Sequence, residues 1–133
     1  GCVFGYGTKI AGDCEIQNGV IFSSSVIENP QTRVGVGAMI QSGCRFSHDI
    51  PPYIVASGSP ISYGGINSTI LKNHGIDEKV QGDIANAYRL VFHGQTSVFD
   101  AVMQIKDQVP DSVEIRNVIK FIEETKLGII AKM

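Results

Sequence analysis

The sequence lacks any strong excess of charge. Eleven Lys and Arg against thirteen Asp and Glu leave a formal net charge of −2, and no Lys/Arg cluster stands out. A nucleic-acid surface needs a concentrated basic footprint, so that class of function is excluded. No apolar run approaches the roughly 20 residues needed to span a bilayer. The opening Gly1-Cys2-Val3-Phe4 lacks the basic n-region of a signal peptide. Cysteine is scarce: Cys2, Cys14 and Cys44 form no CxxC pair and no metal-ligand spacing, and their odd number leaves no complete disulfide framework. Each reads as a small, semi-buried residue in a reduced, cytoplasmic setting. With no Gly-rich phosphate loop, no nucleophile–His pair and no metal cluster, no cofactor and no metal are expected.

What is present begins with a repeat. Phe4, Ile10, Ile16 and Phe22 are spaced by six, and Val34, Ile40 and Phe46 continue the register. Only Glu28 breaks the series, with Ile27 beside it. Small residues follow the ladder positions at Gly5, Ala11, Ser23, Gly35 and Ser47, Gln41 being the exception. A helix has period 3.6 and an ordinary strand period 2, so neither explains a period of six. A coil of three short flat faces does: each face puts one apolar residue inside and then turns, at residues that tolerate crowded or left-handed backbone. Residues 1 to about 50 therefore predict a short parallel β-helix. Its first coil leaves an apolar end at Cys2-Val3-Phe4, which a partner or upstream chain would cover. The usual crossover rule would favour a right-handed coil.

Composition changes near Pro51-Pro52. Asp49 to Gly65 reads as an irregular Pro/Gly-rich joint, and after Asn67 the pattern turns helical. Asp77 can cap a helix through about Val91, with Val80, Ile84, Ala87, Tyr88 and Val91 on one face and Gly94 as a stop. Thr96 or Ser97 caps a second helix, with Val98, Val102 and Ile105 inward. Pro110 and Asp111 start a third, with Val113, Val118, Phe121 and Ile122 inward, and Gly128 marks its end. The division expected is 1–58 for the β-helix and 59–133 for a linker and a C-terminal α-helical domain.

The segment Asp49-Ile50-Pro51-Pro52-Tyr53-Ile54-Val55-Ala56-Ser57-Gly58 resembles the junction of the UDP-N-acetylglucosamine O-acyltransferases of lipid A biosynthesis, a hexapeptide-repeat acyltransferase family. Gly65-Ile66-Asn67, Leu71-Lys72, Ala87-Tyr88-Arg89-Leu90 and, upstream, Ile10-Ala11-Gly12 extend the resemblance along nearly the whole chain. It implies that the coil is left-handed and that these are the last β-helix coils followed by the helical tail. It also implies a homotrimer with sites in the clefts between β-helices; the apolar end at Val3 and Phe4 is expected to let such trimers stack end to end. The implied reaction moves a 3-hydroxyacyl chain from acyl carrier protein to the 3-hydroxyl of a UDP-sugar.

Such a reaction needs a general base near the hydroxyl and donors for the developing oxyanion. The family's base is the His of a Gly-His-Asp segment, whose place falls just ahead of Gly1. Two further family histidines are matched by Asp13 and Asn29, neither of which does the work of an imidazole near neutral pH. Gly12 is retained, either as the family's oxyanion N–H or simply as a turn glycine. Asn67 is retained in the nucleotide-sugar region, but the family's following Glu is Thr69 and its paired arginines are Asn73 and His74. An arginine fork on phosphate is not replaced by these side chains. The resemblance makes Asp13, Asn29, Asn67 and His74 the substrate-binding candidates and Lys72, Lys79, Arg89 and His93 the acyl-carrier-protein contacts. The bland reading of the latter is solvated helix surface, and of His48 a solvated loop. The chain as written is expected to be an acyltransferase by family but inactive for want of its base. The alternative is a non-catalytic trimeric scaffold, a binding protein or a truncated fragment of the family.

Overall fold

The computed structural model describes residues 1–94 and 96–130. Residue 95 and residues 131–133, the end of the expected helical domain, lie outside the described residues. Eight two-residue strands recur every six residues: β1 (Val3–Phe4), β2 (Lys9–Ile10), β3 (Glu15–Ile16), β4 (Ile21–Phe22), β5 (Ile27–Glu28), β6 (Arg33–Val34), β7 (Met39–Ile40) and β8 (Arg45–Phe46). They stack in parallel as three faces, β1-β4-β7, β2-β5-β8 and β3-β6. The coil is a left-handed β-helix, the opposite hand to that of the usual crossover rule. Val3 lies opposite Ile21 and Ile21 opposite Met39, so one coil takes eighteen residues, three hexads.

The second residue of each strand is the inward one. Phe22, Glu28, Val34, Ile40 and Phe46 are all 1% exposed or less, while Phe4 and Ile10 of the first coil stand 49% and 42% exposed. Rings stack inside the coil: Phe4 meets Phe22 edge-on at 5.3 Å and Phe22 meets Phe46 at 6.3 Å. Glu28 thus does not interrupt the ladder; it occupies a rung.

The corners also keep a period of six, in a different phase from the one expected. Gly7, Asp13, Gly19, Ser25, Gln31, Gly37 and Gly43 all have φ between 60° and 77°. The small residues just after the rungs serve close approach between coils instead. A Cβ on Gly5 would lie 2.6 Å from the Ser23 carbonyl carbon, and one on Gly35 would lie 2.5 Å from the Pro52 nitrogen.

The segment from Asp49 to Gly65 is more regular than its composition suggests. β9 (Ile54–Ser57) adds a parallel rung on β7, with Met39 opposite Val55, two residues short of the coil spacing. β10 (Ser62–Ile66) returns antiparallel on β9, with an irregularity between Tyr63 and Ile66. Pro51 and Pro52 fall at the corner, where no ladder N–H is lost.

The helices follow: α1 (Ser68–Asn73), α2 (Glu78–Phe92), α3 (Val98–Gln108) and α4 (Val113–Glu123). Asp77 caps α2 by accepting from the Lys79 N–H at 3.0 Å, and Ser97 caps α3 through the Asp100 N–H at 3.2 Å. The inward set of α2 gains Phe92, and Val80 is half-buried; α2 ends on His93, one residue before Gly94. α4 departs from expectation at both ends. Ser112, not Pro110 or Asp111, is its cap, because only the Ser112 hydroxyl reaches the Ile115 N–H. Val113 is 59% exposed, and Ile115 takes the inward place. The helix closes at Glu124; Gly128, with φ 79°, lies beyond it in a strand-like return, where Asp49 N–H donates to Gly128 O at 2.8 Å.

The helical layer is seated on the junction. Tyr88, fully buried on α2, donates its hydroxyl to Pro52 O at 2.5 Å. Tyr63 of β10 stacks on Phe92 at 4.4 Å and leans on Tyr88 at 5.7 Å. On the other side, Asn117 of α4 donates to the Tyr53 hydroxyl at 2.9 Å.

Candidate substrate groove

A groove of about 1090 Å³ runs between the β3–β6 face and α4 with the return that follows it. Its coil wall carries Asp13, Glu15, Gln17, Gln31 and Arg33; its helical wall carries Asn117, Lys120, Phe121 and Glu124. Short strands fix these positions, since the first residue of β3 and β6 and the corners on either side of them face the cleft. Arg33 ties the walls together. Its Nε donates to Glu15 at 3.0 Å, its Nη1 lies 3.5 Å from Asp49 and donates to Phe121 O at 3.3 Å, and its guanidinium sits 4.1 Å over the Phe121 ring. Asp49, 1% exposed, also accepts from the Arg33 N–H at 2.9 Å and the Thr125 hydroxyl at 2.6 Å. A buried carboxylate with three donors is a locked strut, because losing any of them leaves charge unpaired in the interior.

The residues singled out in the sequence divide into those that meet and those that do not. Asp13 lines the groove at a left-handed corner. Gly12 beside it has no positive φ, and a Cβ there would meet nothing within 4 Å. Gly12 sits exposed in the turn, at a place whose backbone does not demand glycine. Asn29 stands half-buried at the same corner one coil along, before the groove residue Gln31. Asn67 is only 5% exposed, with both ends of its amide engaged: Nδ2 donates to Gly37 O at 3.1 Å and Oδ1 accepts from the Ile70 N–H at 3.4 Å as the cap of α1. His74, exposed at the end of α1, is not among the groove-lining residues. Lys72 is exposed on α1. Lys79, Arg89 and the cap residue His93 follow one another on α2 at ten and fourteen residues, close to three and four turns, so they share a side of the helix. Lys79 also pairs with Asp83 at 3.4 Å. His48 is exposed, 3.4 Å from the Ser47 hydroxyl. None of the three histidines lines the groove.

Sequence reasoning passed over Arg33, Asp49 and Thr125 as site residues, and read Phe121 only as an inward helix position. Asp49 stands in the junction motif, but nothing in the sequence pairs it with a residue 76 positions later. It also misread Glu28. That carboxyl lies inside the coil, where burial pushes its pKa up to about 7; the Thr32 hydroxyl and the Cys14 thiol beside it pull the other way and the Asp49 charge adds to the rise. Burial also pushes the Cys14 thiol up, so it is no thiolate nucleophile near neutral pH. Among the described residues no group of three or more His, Cys, Asp or Glu could hold a metal, and no helix is long and apolar enough to cross a membrane.

Comparison with known proteins bears on what the groove serves. A family model described as UDP N-acetylglucosamine O-acyltransferase, domain 2, matches residues 49–130. The acyl-[acyl-carrier-protein]–UDP-N-acetylglucosamine O-acyltransferase of Syntrophobacter fumaroxidans is 33% identical over 97 residues, 72% of this chain and 38% of that protein. The protein of the same description from Stenotrophomonas maltophilia strain K279a is 30% identical over 126 residues, 94% of this chain and 48% of that protein. A crystal structure of a UDP-N-acetylglucosamine acyltransferase from Bacteroides fragilis superposes with a TM-score of 0.96 at 42% identity, covering 98% of this chain and 51% of that one. The chain spans about half the length, or less, of the relatives it matches.

Proposed function

This chain belongs to the UDP-N-acetylglucosamine O-acyltransferase family, and from that membership we propose that it forms the sugar-side and carrier-side portion of a trimeric acyltransferase. The reaction is transfer of a 3-hydroxyacyl chain from acyl carrier protein to the 3-hydroxyl of UDP-N-acetylglucosamine, in lipid A biosynthesis. The observation that carries the reading is the continuity of the match, which runs through coils, junction and helices alike. In this reading Gly12 offers its backbone N–H to the oxyanion, and its open, uncrowded setting supports that use. Asp13 and Asn29 meet the sugar by hydrogen bonding alone. Asn67 shapes the nucleotide region from inside, as the cap of α1, while His74 gives one weak cationic contact to phosphate. Lys72, Lys79, Arg89 and His93 face the acidic carrier. The three free thiols suit a reducing cytoplasm.

No imidazole lines the groove, so none of the chain's three histidines is placed there as the base. The test is to give this chain 3-hydroxyacyl carrier protein and UDP-N-acetylglucosamine and follow acylated sugar by mass spectrometry, with carrier binding measured in parallel. The expected result is carrier binding that weakens with salt, and no product. Turnover near the rate of the Bacteroides fragilis enzyme would overturn the missing-base reading. A second reading, a non-catalytic trimeric scaffold, is favoured by Asp13: at φ 61° it serves the corner as a turn residue would. Binding without turnover, even when a base-bearing segment is supplied, would select it.

A further inference from the structure

We propose that Glu28 is held inside the β-helix as a neutral carboxylic acid that donates its proton to Thr32, and that loss of this proton loosens the corner from Asn29 to Thr32. The reasoning begins with one hydrogen. Thr32 Oγ1 lies 2.8 Å from Glu28 Oε2 and 2.8 Å from the Asn29 carbonyl oxygen. A hydroxyl has one proton, and a backbone carbonyl only accepts. When the Thr32 proton goes to Asn29 O, the proton between Thr32 and Glu28 must come from the acid. The second carboxyl oxygen, Oε1, is buried with no partner among the described residues. An ionised carboxylate with an empty oxygen in an apolar coil is the costly state; the neutral acid is the cheap one.

Among the described residues no cation contributes to offset that cost. The rungs either side of Glu28, Ile10 and Phe46, carry no charge. The titratable groups that face it are the Cys14 thiol, from the corner between β2 and β3, and Asp49, from the segment after β8. Asp49 is itself held by Arg33 and Thr125, so the Arg33 charge is spent on Asp49 and Glu15. The same corner seats Gln31 in the groove, so a loosened corner reaches the groove wall.

The sign follows from proton binding. The unfolded chain gives up this proton near the ordinary glutamate value of 4.5, and the folded chain keeps it to about pH 7. The folded state therefore holds more protons in that window, and stability falls as pH rises through it. The experiment compares the urea unfolding of the wild-type chain and Glu28→Gln from pH 4.5 to 8.5, and follows the Glu28 side-chain carboxyl carbon by NMR in the wild-type chain. We expect the wild type to lose on the order of 100-fold in its folding constant relative to Glu28→Gln across the range, with the resonance titrating near pH 7. Parallel pH profiles for the two proteins, or a titration in the ordinary glutamate range, would overturn the proposal. If Glu28→Gln does not fold, the wild-type titration decides alone.

Discussion

The coils and the helices solve the same packing problem with different rules. In the coils each inward side chain sits on the one eighteen residues away, and the backbone ladder above and below fixes it there. In the helices the inward side chains meet across elements, as Tyr88 meets Tyr63 and Pro52, and no ladder joins one helix to the next. A rung cannot slide without moving its whole coil, whereas a helix can shift as a body to fill a gap. The coil should therefore be the less forgiving of the two.

The most damaging test is a matched pair, Ile40→Ala in a rung against Ile122→Ala in α4, both residues fully buried. Each should lose about 2–5 kcal/mol, because a cavity costs more where neighbours cannot collapse into it, with Ile40 towards the upper end. Urea denaturation of both measures it, and equal losses would erase the distinction. Next comes Gly35→Ala. Its Cβ would press on Pro52 at 2.5 Å, which the corner can relieve only by moving backbone, so about 1–3 kcal/mol should be lost. A glycine pair comes third. Gly37→Ala, at φ 70° and 3.2 Å from the Tyr53 ring, should cost about 1 kcal/mol or somewhat more. Gly12→Ala, with open space and no positive φ, should stay within about 0.5 kcal/mol; thermal melts separate the two. The smallest effect belongs to the helix surface: Lys79→Ala breaks an exposed pair with Asp83 and should change stability by less than about 0.5 kcal/mol.

The same contrast explains what the sequence made legible. The rungs were readable because one residue type class returns every six positions, and no competing period mimics that. The corner phase was not, although Gly7, Gly19, Gly37 and Gly43 mark it. Asp13, Ser25 and Gln31 fill the other places, and left-handed backbone is not written in their hydropathy. Glu28 looked like a break because residue type alone reads glutamate as charged, and only its surroundings say otherwise. The helices were legible in their middles and not at the edges of α4, where Ser112 and Asp111 both look like caps and only geometry selects one. Of the groove, Asp13 was found through the resemblance. The Arg33–Asp49–Thr125 tie was invisible, since it joins positions that only the fold brings together.

A stack of parallel rungs is in principle an open-ended polymer, each exposed rung being a template for one more. The hairpin after Pro51-Pro52 acts as a chain terminator. β9 arrives two residues early, and β10 then turns back against it, with α2 laid alongside. On that face the edge offered runs in the wrong direction and with a broken register, so it is a poor template for another parallel rung. Growth of the β1-β4-β7 face is thereby stopped at this end by polarity.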